Sequence, residues 1–588
     1  MINKIWKSVF VVCAAGCLAS CSDQMNYNEY NIFDKDYITQ NFGNVGGFMT
    51  DIYNTVDYDF GNYSSGAMQA SATDESEYSL GGNGIEHFYN GAWSPTNAKA
   101  SVWSSMYKGI STCNHVIYEL QGLSFDELKL NNDYAAQLHR YENYKYESRF
   151  MRAYFYFCLV RQYGDVPLVT KQITAEEVNS IERTSADEIF KFIIDECTEI
   201  QPLIIEDYSN LGEFSTGTEE TGRADRLAVL ALKARAALYW ASPLFNPSGD
   251  KERYYMAALY AKELLDAADK RGKGLTANYA DLWDAGSFNT PGIMKEILYG
   301  RRYYKSSSGD NLVETNNYPV GIEGGKGGNC PTQNLVDAYD MLNGKSIVED
   351  GSGYDEKNPY QDRDPRLAAT VAVNGDQWPT YSGAAKIETF QGGINGEPLT
   401  GATPTGYYLK KLCNGAISLA SNSKFKESRH TWLTFRLGEV YLNYAEAVFK
   451  YLGGADITSM DFPMSARAAA SKTRQRAGMP DFEQGMDANT FWTKLCNERF
   501  VELAFEGHRF WDVRRWKEAD KYFKNIVEMK LIKEADGNIT YMRKNVSRQW
   551  DDKMYLFPIP QSERSKNPNL TQNLSLIHIS EPTRLALI

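Results

Sequence analysis

Residues 224–242 read ADRLAVLALKARAALYWAS and residues 252–268 read ERYYMAALYAKELLDAA. In both, small alanines alternate with large apolar residues at helical spacing, so the two segments are expected to form neighbouring helices that approach closely and interlock. This helix–turn–helix texture resembles the tetratricopeptide (TPR) type, although its period along the chain is not clean, which makes the pairs degenerate. The same periodicity extends on both sides. Residues 101–121 put Val102, Met106, Ile110, Cys113, Val116, Ile117 and Leu120 on one face. Residues 134–162 carry Phe150, Ala153, Tyr154, Phe157 and Leu159, and Gly164 with Pro167 stops that helix. Ser185 and Glu188 have capping-box spacing ahead of Ile189, Ile193, Cys197 and Ile200. Further helices are expected over Trp432 to Tyr451 and from about Asn489 to Arg515. Between 271 and 430 Gly, Asn, Asp and Pro are frequent and helical periodicity fades. The expectation is therefore a mainly α scaffold with a loop-rich insertion, and long loops in folded proteins carry function.

The chain has 588 residues with 43% hydrophobic and 23% charged content, which places it among globular proteins. Its net charge of −13 argues against nucleic acid and anionic headgroups as partners, because both need a basic patch. Neutral partners such as sugars remain open, and 39 tyrosines supply ring faces with hydroxyls. Of nine cysteines, three (Cys13, Cys17, Cys21) lie near the N-terminus; the other six are scattered with no C-x-x-C pair, and Cys158 and Cys197 sit in apolar helical runs as core residues.

The first 21 residues, MINKIWKSVFVVCAAGCLASC, carry a basic start at Lys4 and Lys7 and a short apolar stretch from Ser8 to Ala19. They end in Leu18-Ala19-Ser20-Cys21, which looks like a bacterial lipobox. Residues 1–20 are thus expected to be a lipoprotein signal peptide, with Cys21 the acylated residue that anchors the protein to a membrane and residues 21–30 a polar stalk. Residues 31–573 are expected to form one domain.

Enzyme motifs are not evident. Gly324-Gly325-Lys326-Gly327-Gly328 lacks phosphate-loop spacing, and neither His-Glu-x-x-His, Gly-x-Ser-x-Gly nor Asp-x-Asp-x-Asp-Gly occurs, so no cofactor or metal site is expected. Glu498, Glu502 and Glu506 recur every fourth residue, but neighbouring Arg499, Arg509, Arg514 and Arg515 favour structural ion pairs over a glycosidase acid/base pair, and one helix face cannot flank a sugar bond from two sides. Trp93, in the turn-rich stretch Tyr89 to Asn97, is expected to be an exposed loop ring that offers a flat face to a sugar. Tyr303, Tyr304, Tyr318 and Trp378 are loop aromatics of the same class.

Several segments, in order, resemble the SusD/RagB family of nutrient-binding outer-membrane lipoproteins. They are Arg152 to Phe155 with Tyr163 to Leu168, Pro331 to Tyr339, Arg363-Asp364-Pro365-Arg366, Phe435 to Ala447, Glu498 to Arg509 with Asp512 and Arg515-Trp516, Phe557 to Pro560, and Asn567 to Leu570. The resemblance implies four TPR-like helix pairs as scaffold and an irregular remainder that carries the ligand site. It further implies surface exposure on the outer membrane, a TonB-dependent transporter of the SusC type as partner, and glycan capture without cleavage. An arc of aromatic rings, from an early loop and the loop-rich middle, is the family's binding mode. Trp93 falls in the first region and Tyr303, Tyr304, Tyr318 and Trp378 in the second, with Asp74, Glu75 and Asn97 as polar partners. Oligopeptide capture is the alternative within transport, and a glycoside hydrolase is the alternative from another class. After Asn573 the sequence departs from the family pattern. Residues 574–588 look like an in-frame translation of a sequencing-library adapter, and the native reading is expected to end near Asn573.

Overall fold

The computed structural model describes residues 35–216, 222–283, 290–303 and 309–573. The leader, Cys21, the stalk, Tyr304 and residues 574–588 lie outside the described residues. The scaffold begins with α1 (Phe42–Asn54), α2 (Trp103–Tyr118), α3 (Tyr134–Tyr163), α4 (Ala186–Ile200), α5 (Arg226–Ala241) and α6 (Lys251–Lys270). Each of α2 to α6 packs on the next in sequence, the arrangement expected from alanine-rich stripes. Helix α5 is buried on nearly every side, so it has no polar face to spare. Its two buried cations are therefore paired. Lys233 reaches Glu263 on α6 at 3.0 Å, and Arg235 Nε donates to Glu439 at 2.7 Å.

Local signals set the helix ends. Ser185 and Glu188 form the capping box at the start of α4. Asp225 accepts from Leu227 and Ala228 at the start of α5. Gly164 ends α3 with φ 72°, where a Cβ would stand 3.0 Å from Leu556 Cδ1.

The chain then passes through the loop-rich insertion and re-enters the scaffold as β1 (Ile297–Tyr303), β2 (His430–Arg436), α7 (Leu437–Leu452), α8 (Ala466–Arg476), α9 (Ala488–Glu502) and α10 (Arg509–Arg515). Helix α7 packs on α6 and α8 and so joins the two halves. Two expected helix boundaries are corrected here. Trp432 to Arg436 is strand, because aromatic and β-branched residues there pair antiparallel with β1, Arg301 opposite Trp432 and Tyr303 opposite His430. The run from Asn489 to Arg515 is two helices. It breaks after Glu502, where Phe505 (φ 60°) and Gly507 (φ 76°) turn the chain. A long hairpin, β3 (Asn525–Lys533) with β4 (Ile539–Ser547), follows.

That break turns the acidic series into a structural core. Arg436 Nη1 reaches Glu502 at 2.7 Å and Glu296 at 2.9 Å, and its Nε reaches Glu506 at 2.7 Å. Arg366 binds Glu498 at 2.6 Å, Glu502 at 2.8 Å and Asp364 at 2.7 Å, while Arg476 also pairs with Glu502. All of these side chains are nearly inaccessible to solvent. Burial works to raise the Glu502 pKa, but Arg476, Arg436 and Arg366 outweigh it and hold the carboxyl well below the usual carboxylate range. The glutamates form the expected ion pairs, but with Arg366, Arg436, Arg476 and Lys411 rather than with neighbouring Arg499, Arg509, Arg514 and Arg515; Arg499 pairs with Asp512, Arg509 with Asp74 and Arg515 with Glu446.

Candidate functional site

A cleft of about 580 Å³ opens where the segment after α1, the C-terminal half of α3 and the β1–β2 ribbon converge. The chain leaves α1 through Asp57-Tyr58-Asp59-Phe60-Gly61. Phe60 is held at φ 42°, a costly conformation for a large side chain, and such strain clusters at ligand sites. Gly61 follows at φ 85°, where a Cβ would meet Gly66 O at 2.6 Å, so only glycine closes this turn.

The turn presents aromatic rings at the mouth. Tyr58 lies 4.8 Å from Tyr303, Phe60 lies 5.4 Å from Tyr303, and Phe60 meets Trp432 edge-on at 5.3 Å. Tyr58, Tyr303 and Trp432 are only half-buried, so ring surface remains available, whereas Phe60 is buried beneath them. Arg301 stacks its guanidinium 4.4 Å over Tyr58 and donates to Val56 O.

Deeper in, Asp57 accepts from Tyr154 and is paired with Arg161 at 2.9 Å. Asp59 accepts from the backbone N–H of Gln69 at 2.7 Å and of Gly61 at 3.2 Å. Burial, only partly offset by those N–H groups, pushes Asp59 up to about 7. The Tyr63 hydroxyl, Arg161 Nε and Thr434 Oγ1 line the cleft as buried polar atoms with no hydrogen-bond partner in the protein. The half-buried rings of Tyr58 and Trp432 beside the Arg301 guanidinium make a surface suited to a hydroxyl-rich ring compound. A wider groove, about 1130 Å³, lies at the N-terminal end of α3. Two of its cations are engaged, Arg271 with Asp207 and Asp225 and Lys129 with Asp126. Among the described residues no group of three or more His, Cys, Asp or Glu side chains is placed to hold a metal ion.

Several expected site residues are placed elsewhere. Trp93 is 3% exposed and packs edge-on to Phe557 at 4.6 Å and against Phe88 at 5.1 Å, so the expected exposed platform is a core ring. Tyr318 is fully buried, its hydroxyl donating to Asn414 O at 2.6 Å, and it packs on buried Trp378 at 5.9 Å; the two anchor the insertion's own small core. Asp74 forms a buried pair with Arg509 at 2.6 Å. Glu75 accepts from Phe505 N at 2.6 Å, and burial pushes its carboxyl up to about 8 against that N–H. Asn97 closes its own loop by donating to Ala92 O at 2.9 Å. None of the seven that are described lines the cleft; Tyr303 comes nearest, packed against Tyr58, which does. Tyr58, Arg301, Trp432 and Thr434 were missed. The dense Asp-Tyr-Asp-Phe run at 57–60 was the available signal for the first; Trp432 was hidden by its assignment to a helix.

The family model described as "SusD family" matches residues 295–575, and the one described as "Starch-binding associating with outer membrane" matches residues 30–237. The chain belongs to the SusD/RagB family. Two SusD-like proteins of Formosa agariphila are similar to it. P2 is 24% identical over 495 residues, which cover 81% of this chain and 80% of that protein. P25 is 21% identical over 488 residues, 81% and 78% respectively. Among solved structures, a SusD-like protein from Bacteroides fragilis superposes with a TM-score of 0.73 at 24% identity, covering 92% of this chain and 98% of its own. A SusD-like carbohydrate-binding protein from the same species gives 0.72 at 24% identity, covering 91% and 100%. A laminarin-binding SusD-like protein gives 0.61 at 20% identity, covering 90% and 99%. These likenesses establish the SusD fold of the chain. No helix among the described residues is long and apolar enough to cross a membrane.

Proposed function

We propose that this SusD/RagB protein is a surface glycan-binding lipoprotein that takes oligo- or polysaccharide at the cleft lined by Tyr58, Arg301 and Trp432. The observation that carries the reading is the pair of half-buried rings, Tyr58 and Trp432, lining the cleft beside the Arg301 guanidinium, an apolar face for a sugar's C–H side and donors for its hydroxyls. The family's carbohydrate-binding character supports it. On this reading Cys21 carries the acyl anchor at the outer-membrane surface and a SusC-type TonB-dependent transporter receives the glycan.

The buried acidic series supports binding without hydrolysis, since Glu498, Glu502 and Glu506 are tied to arginines away from solvent. Affinity gel electrophoresis of the full chain against plant, host and microbial polysaccharides tests the proposal. One glycan class should retard migration, and Trp432→Ala and Tyr58→Ala should each weaken retardation roughly five- to thirtyfold, as stacked rings do at about 1–2 kcal/mol, with no reducing sugar released. Retardation by no glycan would redirect the reading to oligopeptides, and ring variants that bind as well as the parent would move the site elsewhere on the surface.

A further inference from the structure

The charges around the cleft are not equally satisfied. Asp57 is paired with Arg161, Arg235 with Glu439, and Glu506 with Lys411 at 2.8 Å and Arg436 at 2.7 Å. Arg301 differs. It is half-buried, and burial pulls its pKa below the usual arginine value. Among the described residues it has no carboxylate within ion-pair distance. One hydrogen bond, to Val56 O, leaves most of its five N–H donors unused. A partly desolvated guanidinium without a counter-charge is a costly arrangement unless a ligand completes it. Tyr58 beneath it fixes the plane of the fork, which suits a planar or tetrahedral oxyanion better than a neutral hydroxyl.

The neighbouring geometry matches a sugar that bears such a group. Arg301 is the cross-strand partner of Trp432 and both line the cleft, so a ring lying against Trp432 has a charged donor beside it.

Resting on the glycan reading above, we propose that the cleft selects acidic glycans, with the carboxylate of a uronic acid or a sulfate ester docked on the Arg301 guanidinium beside Trp432. The net charge of −13 sharpens the point: nonspecific attraction to a polyanion is excluded, and retention on one must come from a local cationic contact.

The test is affinity electrophoresis of the full chain in gels containing polygalacturonate, its carboxyl-reduced polymer, carrageenan, its desulfated polymer, or dextran. The proposal expects retardation by at least one acidic polymer that disappears when the charge is removed. The carboxyl-reduced and desulfated arms tell uronate from sulfate. Arg301→Gln should weaken retention roughly ten- to hundredfold, the worth of a charge-assisted contact, while Arg301→Lys keeps a substantial part of it. An unchanged melting temperature in both variants separates lost contact from lost fold. Equal retention on an acidic polymer and its neutralised form, or retention indifferent to Arg301→Gln, overturns the inference. If a neutral glycan is bound and Trp432→Ala abolishes that binding while Arg301→Gln does not, the glycan reading stands and the acidic selectivity falls. If no polymer, acidic or neutral, retards the chain, both fall.

Discussion

The Arg366–Arg436 network and the cleft below Tyr58 are both rich in charge, yet they settle it in opposite ways. In the network each acidic group meets one or more guanidinium groups, and Glu502 is shared by Arg366, Arg436 and Arg476. In the cleft Asp59 is held by backbone N–H groups alone, Arg301 has no counter-charge among the described residues, and Thr434 Oγ1 has no partner. The first pattern locks α9 to the insertion and to β2. The second leaves binding capacity unspent. Within one family fold, the frame shares each carboxylate of the acidic series among several cations, whereas the cleft leaves Arg301 without a carboxylate in ion-pair distance among the described residues.

Removing one partner from the frame should have the largest effect. Glu502→Ala takes one carboxylate from each of three buried arginines, Arg366, Arg436 and Arg476, and should cost about 3–5 kcal/mol of stability by denaturant unfolding. The contribution of Glu502 is present above the ordinary glutamate range and is lost as pH falls through its depressed folded value, so the variant should lose its deficit relative to the parent in strong acid. A variant as stable as the parent at neutral pH would erase the contrast between the two regions.

Trp93 gives the next test. As a core ring against Phe88 and Phe557, Trp93→Ala should cost about 3–5 kcal/mol while any variant that still folds keeps its glycan affinity, read by thermal melts alongside gel retardation. Loss of binding with the melting temperature unchanged would restore it as a ligand platform.

Glu75 sharpens the comparison from another side, as a buried acid in the frame that lacks a cation. Its folded pKa is raised to about 8, so it draws down stability as pH rises from the ordinary glutamate range through 8. Glu75→Gln keeps an acceptor for Phe505 N and should stabilise the protein by on the order of 1–3 kcal/mol at pH 9 with little change at pH 4, measured by urea midpoints at both. The smallest expected effect is Ser185→Ala, which removes the α4 cap and should cost about 1 kcal/mol without altering binding.

The helices α2 to α6 were legible in the sequence because their signals are local: a 3.6-residue apolar period, alanine stripes, a capping box and a glycine stop. The ordered SusD/RagB segments were legible for the same reason, each being a short run whose role is set by its neighbours in the chain. Where pairing partners are distant, reading failed. Trp432 joins a strand only because Arg301 lies 131 positions earlier, and the run at 489–515 breaks at a left-handed turn that no periodicity announces.

The candidate site shows the same division. Trp93, Tyr318 and Trp378 had loop surroundings in sequence, but burial is a property of what the rest of the chain lays over a residue. Phe557 and Phe88 close over Trp93, and the insertion builds its own small core around Tyr318 and Trp378. Sequence determined the helical class and the family, because periodicity and short ordered segments are written along the chain, while the arginines that pair with the acidic series, Arg366, Arg436 and Arg476, come from other elements. Tertiary structure alone decided which rings stay partly open and which cation is left without a partner, because exposure and charge compensation depend on contacts between residues hundreds of positions apart.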